Sequence, residues 1–600
     1  MSGSTRVQIC CLNHNDEILD TMRLLEALEI LRRPVPQEAP RFRVFLACGF
    51  TPLDWKTYLT AHLCLRMPNH VVETVAGLYG DLIGSLERIH TGNWEAVVVP
   101  LEWVDLDTRL GWRSTGGWRA AALSDIVESA RKQLARLEAT LQRCGSVLPV
   151  AVSLPTLLPP PVAYQRPLQE SWVSAELENA RAGFVAAVVR HPGIRLLSRS
   201  ELDVVSPTAG RLDLKSELTA GFPYSPAHAE MLAGMLADLI CPPASKKGLI
   251  TDLDDTLWDG ILGETGVAGV YWDLEHKAQL HAAYQHVVQS LADSGVLVAV
   301  ASKNDPALVE EAFRRSDLAL QRDSVFPLEA HWVRKSESVA RILKTWNIAA
   351  DAVVFVDDSS TELAEVQAAF PEIECLRFPK ESPEQTLHLF HTLRERFGRE
   401  SVSEEDKIRL ASLRSQEGSV LGALAAGANP DDFLASAEAV LTLDWSNPPA
   451  DARPYDLVNK TNQFNLNGKR CTETEWAARL QAPGAFLMVV SYHDRFGPLG
   501  RIAVMTGRQR GSTVEIENWV MSCRAFSRRI EHRCLELLFQ RFGAEQMVLA
   551  YQATPRNGPL QEFLAALLGR APVPGLVFSR EEFIRQCPPL YHQTQESSNV

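Results

Sequence analysis

An apolar run ends in two aspartates two residues apart, with a threonine two further on: Gly248-Leu249-Ile250-Thr251-Asp252-Leu253-Asp254-Asp255-Thr256-Leu257-Trp258-Asp259-Gly260. Carboxylates at that spacing suit two kinds of chemistry. They can hold Mg²⁺, a hard cation that takes oxygen ligands. They can also divide a reaction between them, one as nucleophile and the other as proton donor. Alternate residues of a strand point to opposite faces, so Asp252 and Asp254 share a face only if the chain stays extended. Where the strand runs out into a loop, both can be presented at its C-terminal end, the place where open α/β sheets put their ligands. A competing explanation of Asp-x-Asp-x-Thr is a helix N-cap.

The elements that would position this chemistry follow downstream. Val296-Leu297-Val298-Ala299-Val300-Ala301 is a second apolar run, ending in Ser302-Lys303-Asn304-Asp305. Trp332-Val333-Arg334-Lys335-Ser336 opens a helical pattern that continues through Leu343. A third run, Ala352-Val353-Val354-Phe355-Val356, ends in Asp357-Asp358 with Glu362 close behind. Helical patterns over 276–293, 307–315 and 337–346 separate the runs. That alternation predicts a doubly wound parallel sheet whose strands deliver polar groups at their C-terminal ends, and it displaces the N-cap explanation. Between Thr256 and Ser302 lie 45 residues, and between Ser302 and Lys335 lie 32. Neither interval holds a folded cap domain of the usual ~50-residue minimum. The spacing therefore predicts an open site, accessible to a group carried by another protein.

The set resembles the haloacid dehalogenase (HAD) superfamily, whose four motifs stand here in order. The resemblance implies Asp252 as the phosphate-accepting nucleophile and Asp254 as the general acid and base. Thr256 and Ser302 would be substrate-binding hydroxyls, and Lys335 the cation that neutralises phosphoryl charge. Asp252, Asp254, Asp357 and Asp358 would hold Mg²⁺.

The whole chain has 600 residues, which predicts roughly four domains at ~150 each. Hydrophobic residues make up 46% and charged residues 22%, ordinary globular composition. A net charge of −14 speaks against nucleic-acid binding, which needs a basic footprint. No apolar h-region follows Met1-Ser2-Gly3-Ser4-Thr5-Arg6 and no run of 18 apolar residues occurs, so neither a secretory nor a membrane-spanning segment is expected. Eleven cysteines without a dense framework fit a reducing cytoplasm. The adjacent Cys10-Cys11 reads as incidental, and no Cys/His cluster has zinc spacing.

The region before residue 241 reads as a further α/β sheet, with strands at 42–47, 96–99 and from near Val150, where Pro149 marks the strand's start or an edge. The first strand stops at Cys48-Gly49-Phe50-Thr51-Pro52-Leu53, ahead of a helical pattern. A thiol at such a turn can be activated by the helix N-terminus and is a candidate acyl carrier. Equally, Cys48 reads as a small buried hydrophobe, as free cysteines often are. His228 is either its partner base or a surface residue at a helix start.

Boundaries are expected at Cys241-Pro242-Pro243 and after Phe397, dividing the chain into 1–240, 241–400, a helical connector 401–430, and 431–600. Strand-like runs at 441–443, 487–492, 501–505 and 513–521 feed a helix over 530–542, similar to an N-acetyltransferase (GNAT) fold. Its turn, Arg524-Ala525-Phe526-Ser527-Arg528-Arg529-Ile530, lacks the glycines that expose backbone donors to a pyrophosphate, which favours a degenerate fold used for binding.

Asp252 to Trp258 in the middle and Asn459-Lys460-Thr461-Asn462-Gln463-Phe464-Asn465 in the last domain resemble the FkbH-like family, with a first region similar to an SGNH hydrolase. The fold this implies is α/β in three domains, a capless HAD-type Rossmannoid flanked by SGNH-like and GNAT-like domains. The implied activity is removal of phosphate from 1,3-bisphosphoglycerate, a phosphorylated three-carbon acid, and loading of D-glycerate as a thioester on a phosphopantetheinylated acyl carrier protein. That product serves polyketide or peptide assembly lines. Cys48, then Cys523, are the candidate enzyme thiols. The alternatives are a plain phosphatase on a soluble metabolite and a non-catalytic assembly module, the latter weakened by the intact chemical groups of all four motifs.

Overall fold

A computed structural model describes residues 22–36, 39–89, 92–114, 119–163, 165–398, 430–447, 449, 452–461, 464–495, 497–522, 525, 526 and 528–597. The expected connector before Pro430, together with Cys10, Cys11, Asn462, Gln463, Cys523, Arg524 and Ser527, lies outside them. The fold is α/β with three sheets, two wholly parallel and one mixed. The described residues divide into two compact units, one reaching to Pro243 and joined by Thr472–Thr474, the other made of the described residues from Ala244 to Cys471 and from Glu475 on. No helix among the described residues is long and apolar enough to cross a membrane.

The first unit carries β1 (Arg41–Leu46), β2 (Val71–Ala76), β3 (Ala96–Pro100), β4 (Val150–Ser153) and β5 (Ile194–Leu196), in spatial order β2-β1-β3-β4-β5. β3 and β4 are buried at every residue because helices cover both faces of the sheet, so their sequences are unbroken apolar runs. As expected, β4 begins one residue after Pro149. The sheet order reverses between β1 and β3, which makes the C-terminal ends of those two strands the crevice of this unit.

The second unit carries a parallel sheet of β6 (Gly248–Thr251), β7 (Leu297–Ser302), β8 (Val325–Ala330), β9 (Val353–Asp357) and β10 (Glu374–Arg377), ordered β10-β9-β6-β7-β8. β6 lies in the centre, with β9 and β7 beside it. The helix Lys335–Trp346 is seated by Val339, Ile342 and Trp346, each buried and stabilising its docking by roughly 1.5–3 kcal/mol. Trp346 reaches the sheet where Gly248 leaves room. A Cβ there would stand 2.4 Å from the indole, and the indole N–H donates to the Phe326 carbonyl at 2.7 Å. This seating fixes the helix N-terminus, and with it Lys335, over the end of β6. Between Thr256 and Lys335 there are only short helices, one longer helix, β7 and β8, with no inserted cap domain.

The same unit carries a mixed seven-stranded sheet of β11 (Val440–Asp444), β12 (Ala485–Asp494), β13 (Gly497–Arg510), β14 (Thr513–Met521), β15 (Gln546–Leu549), β16 (Leu576–Ser579) and β17 (Gln593–Glu596). β14 and β15 pair in parallel only from Thr513↔Gln546 to Ile516↔Leu549, then part.

Candidate active site

Register explains why three separate motifs meet. β6 pairs with β9 so that Thr251 faces Val356, and the next residue on each strand is Asp252 and Asp357. On the other side Thr251 faces Val300, two residues before Ser302. Two further bonds stitch the loops together. The Asp252 N–H donates to the Val356 carbonyl at 2.9 Å, and the Asp358 N–H donates to Thr256 Oγ1 at 3.1 Å. Thr256 is therefore a fully buried bolt between the first and last motifs, and its hydroxyl is spent on Asp358 instead of facing a substrate.

Lys335 sits at the focus, 2% exposed. Its Nζ lies 2.8 Å from Asp252 Oδ1, 2.5 Å from Asp357 Oδ2 and 2.7 Å from Glu362 Oε2. Burial by itself would push the lysine pKa down, but the three carboxylates outweigh it and hold the ammonium charged well above its ordinary range. Asp357 is raised as well, which for an acid favours the neutral form. Its burial, then the neighbouring Asp252 charge, raise its pKa, and Lys335 only partly offsets them. Asp358 is raised for the same reasons, burial first and then Asp252 and Asp255. Glu362 accepts from Lys303 as well, at 2.7 Å on Oε1, so both its oxygens are taken by ammonium groups.

Asp254 turns away from this cluster. The left-handed Asp255 (φ 56°) bends the loop. Asp254 Oδ1 then accepts from Trp258 Nε1 at 2.9 Å and the Leu262 N–H at 3.1 Å, and Oδ2 accepts from Asn304 Nδ2 at 3.0 Å. Burial raises its pKa, chiefly against these donors, and the Asp252 charge adds to the rise. A carboxyl whose burial favours the neutral form, beside a carboxyl paired with a lysine, is the arrangement general-acid chemistry uses. The carboxylates that converge closely enough to share a cation are Asp252, Asp357 and Glu362. The carboxylate of Asp254, expected among the metal ligands, is instead committed to its three donors.

The cluster fits a divalent cation by charge. Asp252, Asp357 and Glu362 surround Lys335, Glu362 also meets Lys303, and Asp358 follows Asp357, so carboxyl groups outnumber ammonium groups there four to two. Asp252, Asp357 and Glu362 are the carboxylates whose oxygens converge, each also touching Lys335, and Asp358 follows Asp357 directly in the chain. The raised pKa values of Asp357 and Asp358 give a test by linkage. A carboxyl whose folded pKa lies above its unfolded value costs stability increasingly as pH rises from the ordinary Asp range, and a cation bound to the ionised form returns it. Millimolar Mg²⁺ is expected to raise the melting temperature by about 5 °C at pH 8 and by little at pH 5. Scanning fluorimetry with and without chelator measures this, and an equal shift at both pH values would count against a carboxylate site.

Several of these residues escaped the sequence reading. Asn304 and Lys303 stand in the quoted polar end of β7, where only Ser302 was given a role. Lys380, 2.5 Å from Asp255 Oδ2, comes from a loop after β10 with no motif of its own.

In the first unit Cys48 is 3% exposed, and its thiol donates to the Phe50 carbonyl at 3.3 Å. Burial, then the Asp105 charge, push its pKa up to about 12. Asp105 also occupies the space over Gly49, where an added Cβ would meet its Oδ1 at 1.7 Å. This is a closed, protonated thiol, so the helix-activated thiolate expected at this turn does not form here. His228 is neither a surface residue nor a base for Cys48. It is 1% exposed, its ring nitrogens face Thr156 Oγ1 and Ser206 Oγ at 2.9 Å each, and burial with the Arg211 charge pushes its pKa down to about 3.

In the C-terminal sheet the asparagine-rich segment is structural. Phe464 to Asn467 runs into the gap where β14 and β15 part. The Leu466 N–H donates to Trp519 O at 2.9 Å and the Gln552 N–H to Leu466 O at 3.1 Å, while Asn467 Nδ2 donates to both Glu517 O and Ala550 O. The backbone groups left by the splay are satisfied from within the chain. Of the arginines in the following turn, Arg529 donates to Pro589 O and pairs with Asp431, and Arg528 is buried over the Tyr492 ring.

Compared with models of known families and with curated proteins, the chain matches none. Among solved structures it is similar to the N-terminal part of the protein BF1531 from Bacteroides fragilis, which contains a phosphatase domain complexed with Mg. That match has 18% identity over 62% of this chain and 97% of that one, with a TM-score of 0.49. It is also similar to an adenylation, ketoreductase and pseudo-Asub multidomain structure of a keto acid-selecting NRPS module, at 10% identity over 68% of this chain and 36% of that one, with a TM-score of 0.18.

Proposed function

We propose that the chain is a Mg²⁺-dependent phosphatase of the HAD type. The carrying observation is the separation of roles around β6: Asp252 lies 2.8 Å from the Lys335 ammonium, while Asp254 is turned to Trp258, Leu262 and Asn304, with its carboxyl pKa raised chiefly by burial. An Asp252 oxygen attacks phosphorus, the bond to the leaving oxygen breaks, and Asp254 gives that oxygen its proton. Water then attacks the aspartyl-phosphate, Asp254 takes the water's proton, and phosphate leaves with Asp252 restored. Lys335 and Ser302 supply positive charge and a hydroxyl to the transferring group, whose charge is spread over its oxygens. Asp252, Asp357 and Asp358 would hold Mg²⁺, which supplies further stabilisation of that charge when bound.

The finer reading rests on the resemblance at 252–258 and 459–465. We read the substrate as 1,3-bisphosphoglycerate and the acceptor as the phosphopantetheine thiol of an acyl carrier protein. The carrier thiolate attacks the acyl carbon, the carbon–oxygen bond to phosphate breaks, and the remaining phosphomonoester is hydrolysed at Asp252. The buried state of Cys48 favours direct attack by the carrier over an acyl-enzyme. Intact-protein mass spectrometry with 1,3-bisphosphoglycerate is expected to show a glyceryl carrier and no adduct on this chain when carrier is omitted. An adduct that disappears in Cys48→Ala would return the acyl role to Cys48. Phosphate release with an unchanged carrier would leave a phosphatase acting on a soluble metabolite.

A further inference from the structure

We propose that Asn304 is a positioning residue that locks the proton donor to the phosphate-binding hydroxyl, an inference that rests on the phosphatase reading and adds a residue to it. Asn304 is 1% exposed, and its Nδ2 donates twice, to Asp254 Oδ2 at 3.0 Å and to Ser302 Oγ at 3.1 Å. A side-chain amide carries two N–H donors, so one group serves both partners. Asp254 arrives from the loop after β6 and Ser302 ends β7, so the amide ties two motifs on adjacent strands.

The division of Asp254's oxygens shows what the tie does. Oδ1 is filled by Trp258 Nε1 and the Leu262 N–H, which fix one end of the carboxyl. Oδ2 is then the oxygen with capacity left for a proton, and Asn304 sets its direction. Ser302, held by the same amide, marks where the phosphoryl group would sit. The distance from the delivered proton to the leaving oxygen is therefore set by Asn304, and misplacement of a catalytic group by about 1 Å costs on the order of 10²-fold in rate.

The consequence depends on the leaving group. In the first step the phosphorus–oxygen bond breaks as the Asp254 proton moves to the departing oxygen. An alkoxide needs that proton, whereas a nitrophenolate departs without it. For Asn304→Ala and the uncharged, similarly sized Asn304→Leu, kcat/KM is expected to fall on both substrates as Ser302 loosens, but about 10²-fold further on glycerol 3-phosphate than on p-nitrophenyl phosphate. kcat/KM is the right readout because it stops at the first irreversible step and is blind to the shared aspartyl-phosphate hydrolysis. The ratio between substrates is internal to each variant, so a partly unfolded preparation does not alter it. Equal losses on both substrates, or no loss on either, would overturn the positioning role while leaving the phosphatase reading intact. Turnover that survives Asp252→Asn would instead overturn the phosphatase reading, and this inference with it.

Discussion

Asp252→Asn is expected to remove phosphate release by on the order of 10⁴-fold or more while leaving the protein at least as heat-stable as the parent. The activity loss follows from replacing a carboxylate nucleophile by an amide of the same shape. The stability follows from the charges around it. Asp252 is one of the groups that raise the pKa of Asp357 and Asp358, and Lys335 keeps Asp357 and Glu362 as partners when Asp252 is neutral. Replacing one carboxylate of this acidic cluster by an amide relieves repulsion that Lys335 and Lys303 do not fully balance. Phosphate assay and melting temperature on the same preparation check both halves. A variant that keeps its activity removes Asp252 from the nucleophile's role, and one that loses its fold shows that the Asp252–Lys335 pair is structural first.

Lys335→Met is expected to have the opposite signature, with activity and stability lost together. The ammonium is buried among three carboxylates, and removing it leaves them uncompensated. Breaking a buried ionic group from one side costs about 3–5 kcal/mol, or on the order of 10 °C in melting temperature. The sign of the pH dependence is fixed by the same charges. Without the lysine the Asp357 pKa, already raised by burial and the Asp252 charge, rises further above its unfolded value, so the variant is most stable where that carboxyl is protonated and loses stability as pH rises toward its folded pKa. Its deficit against the parent is therefore expected to be largest near pH 8 and to shrink toward pH 5. A deficit independent of pH would mean that lost packing of the lysine stem, and not the charge cluster, sets the cost. Added Mg²⁺ offers a cross-check, because a divalent cation bound to the carboxylates should recover part of the loss at pH 8.

The central strands were legible in the sequence because they are buried on both faces. β6, β7 and β9, like β3 and β4, read as apolar runs, β1 becomes one from Val44 on, and the polar groups at the ends of β6, β7 and β9 mark where the sheet stops and the site begins. The edges of the two parallel sheets were not legible. β2 (VVETVA), β5 (IRL), β8 (VFPLEA) and β10 (ECLR) are partly exposed or interrupted by proline, so their mixed sequences carry neither a run nor a clean alternation. In the C-terminal sheet the short β15 to β17 escaped as well.

The chemistry divides in the same way. The sequence by itself determined which residues stand at or just past the strand ends, Asp252, Asp254, Ser302, Asp357 and Asp358, and that Lys335 opens a helix. Tertiary structure decided what each carboxylate and thiol does there, because that depends on neighbours distant along the chain. Asn304, 50 residues from Asp254, turns that carboxyl away from the cation cluster. Glu362 joins Lys335 through the first turn of the helix after β9, and Thr256 is spent on Asp358, 102 residues away. Cys48 looks the same on the page as a reactive thiol at a strand-to-helix turn. Only the packing shows it sealed beneath Asp105 and protonated, because a thiol's pKa is set by what surrounds it and not by the residues beside it in the chain.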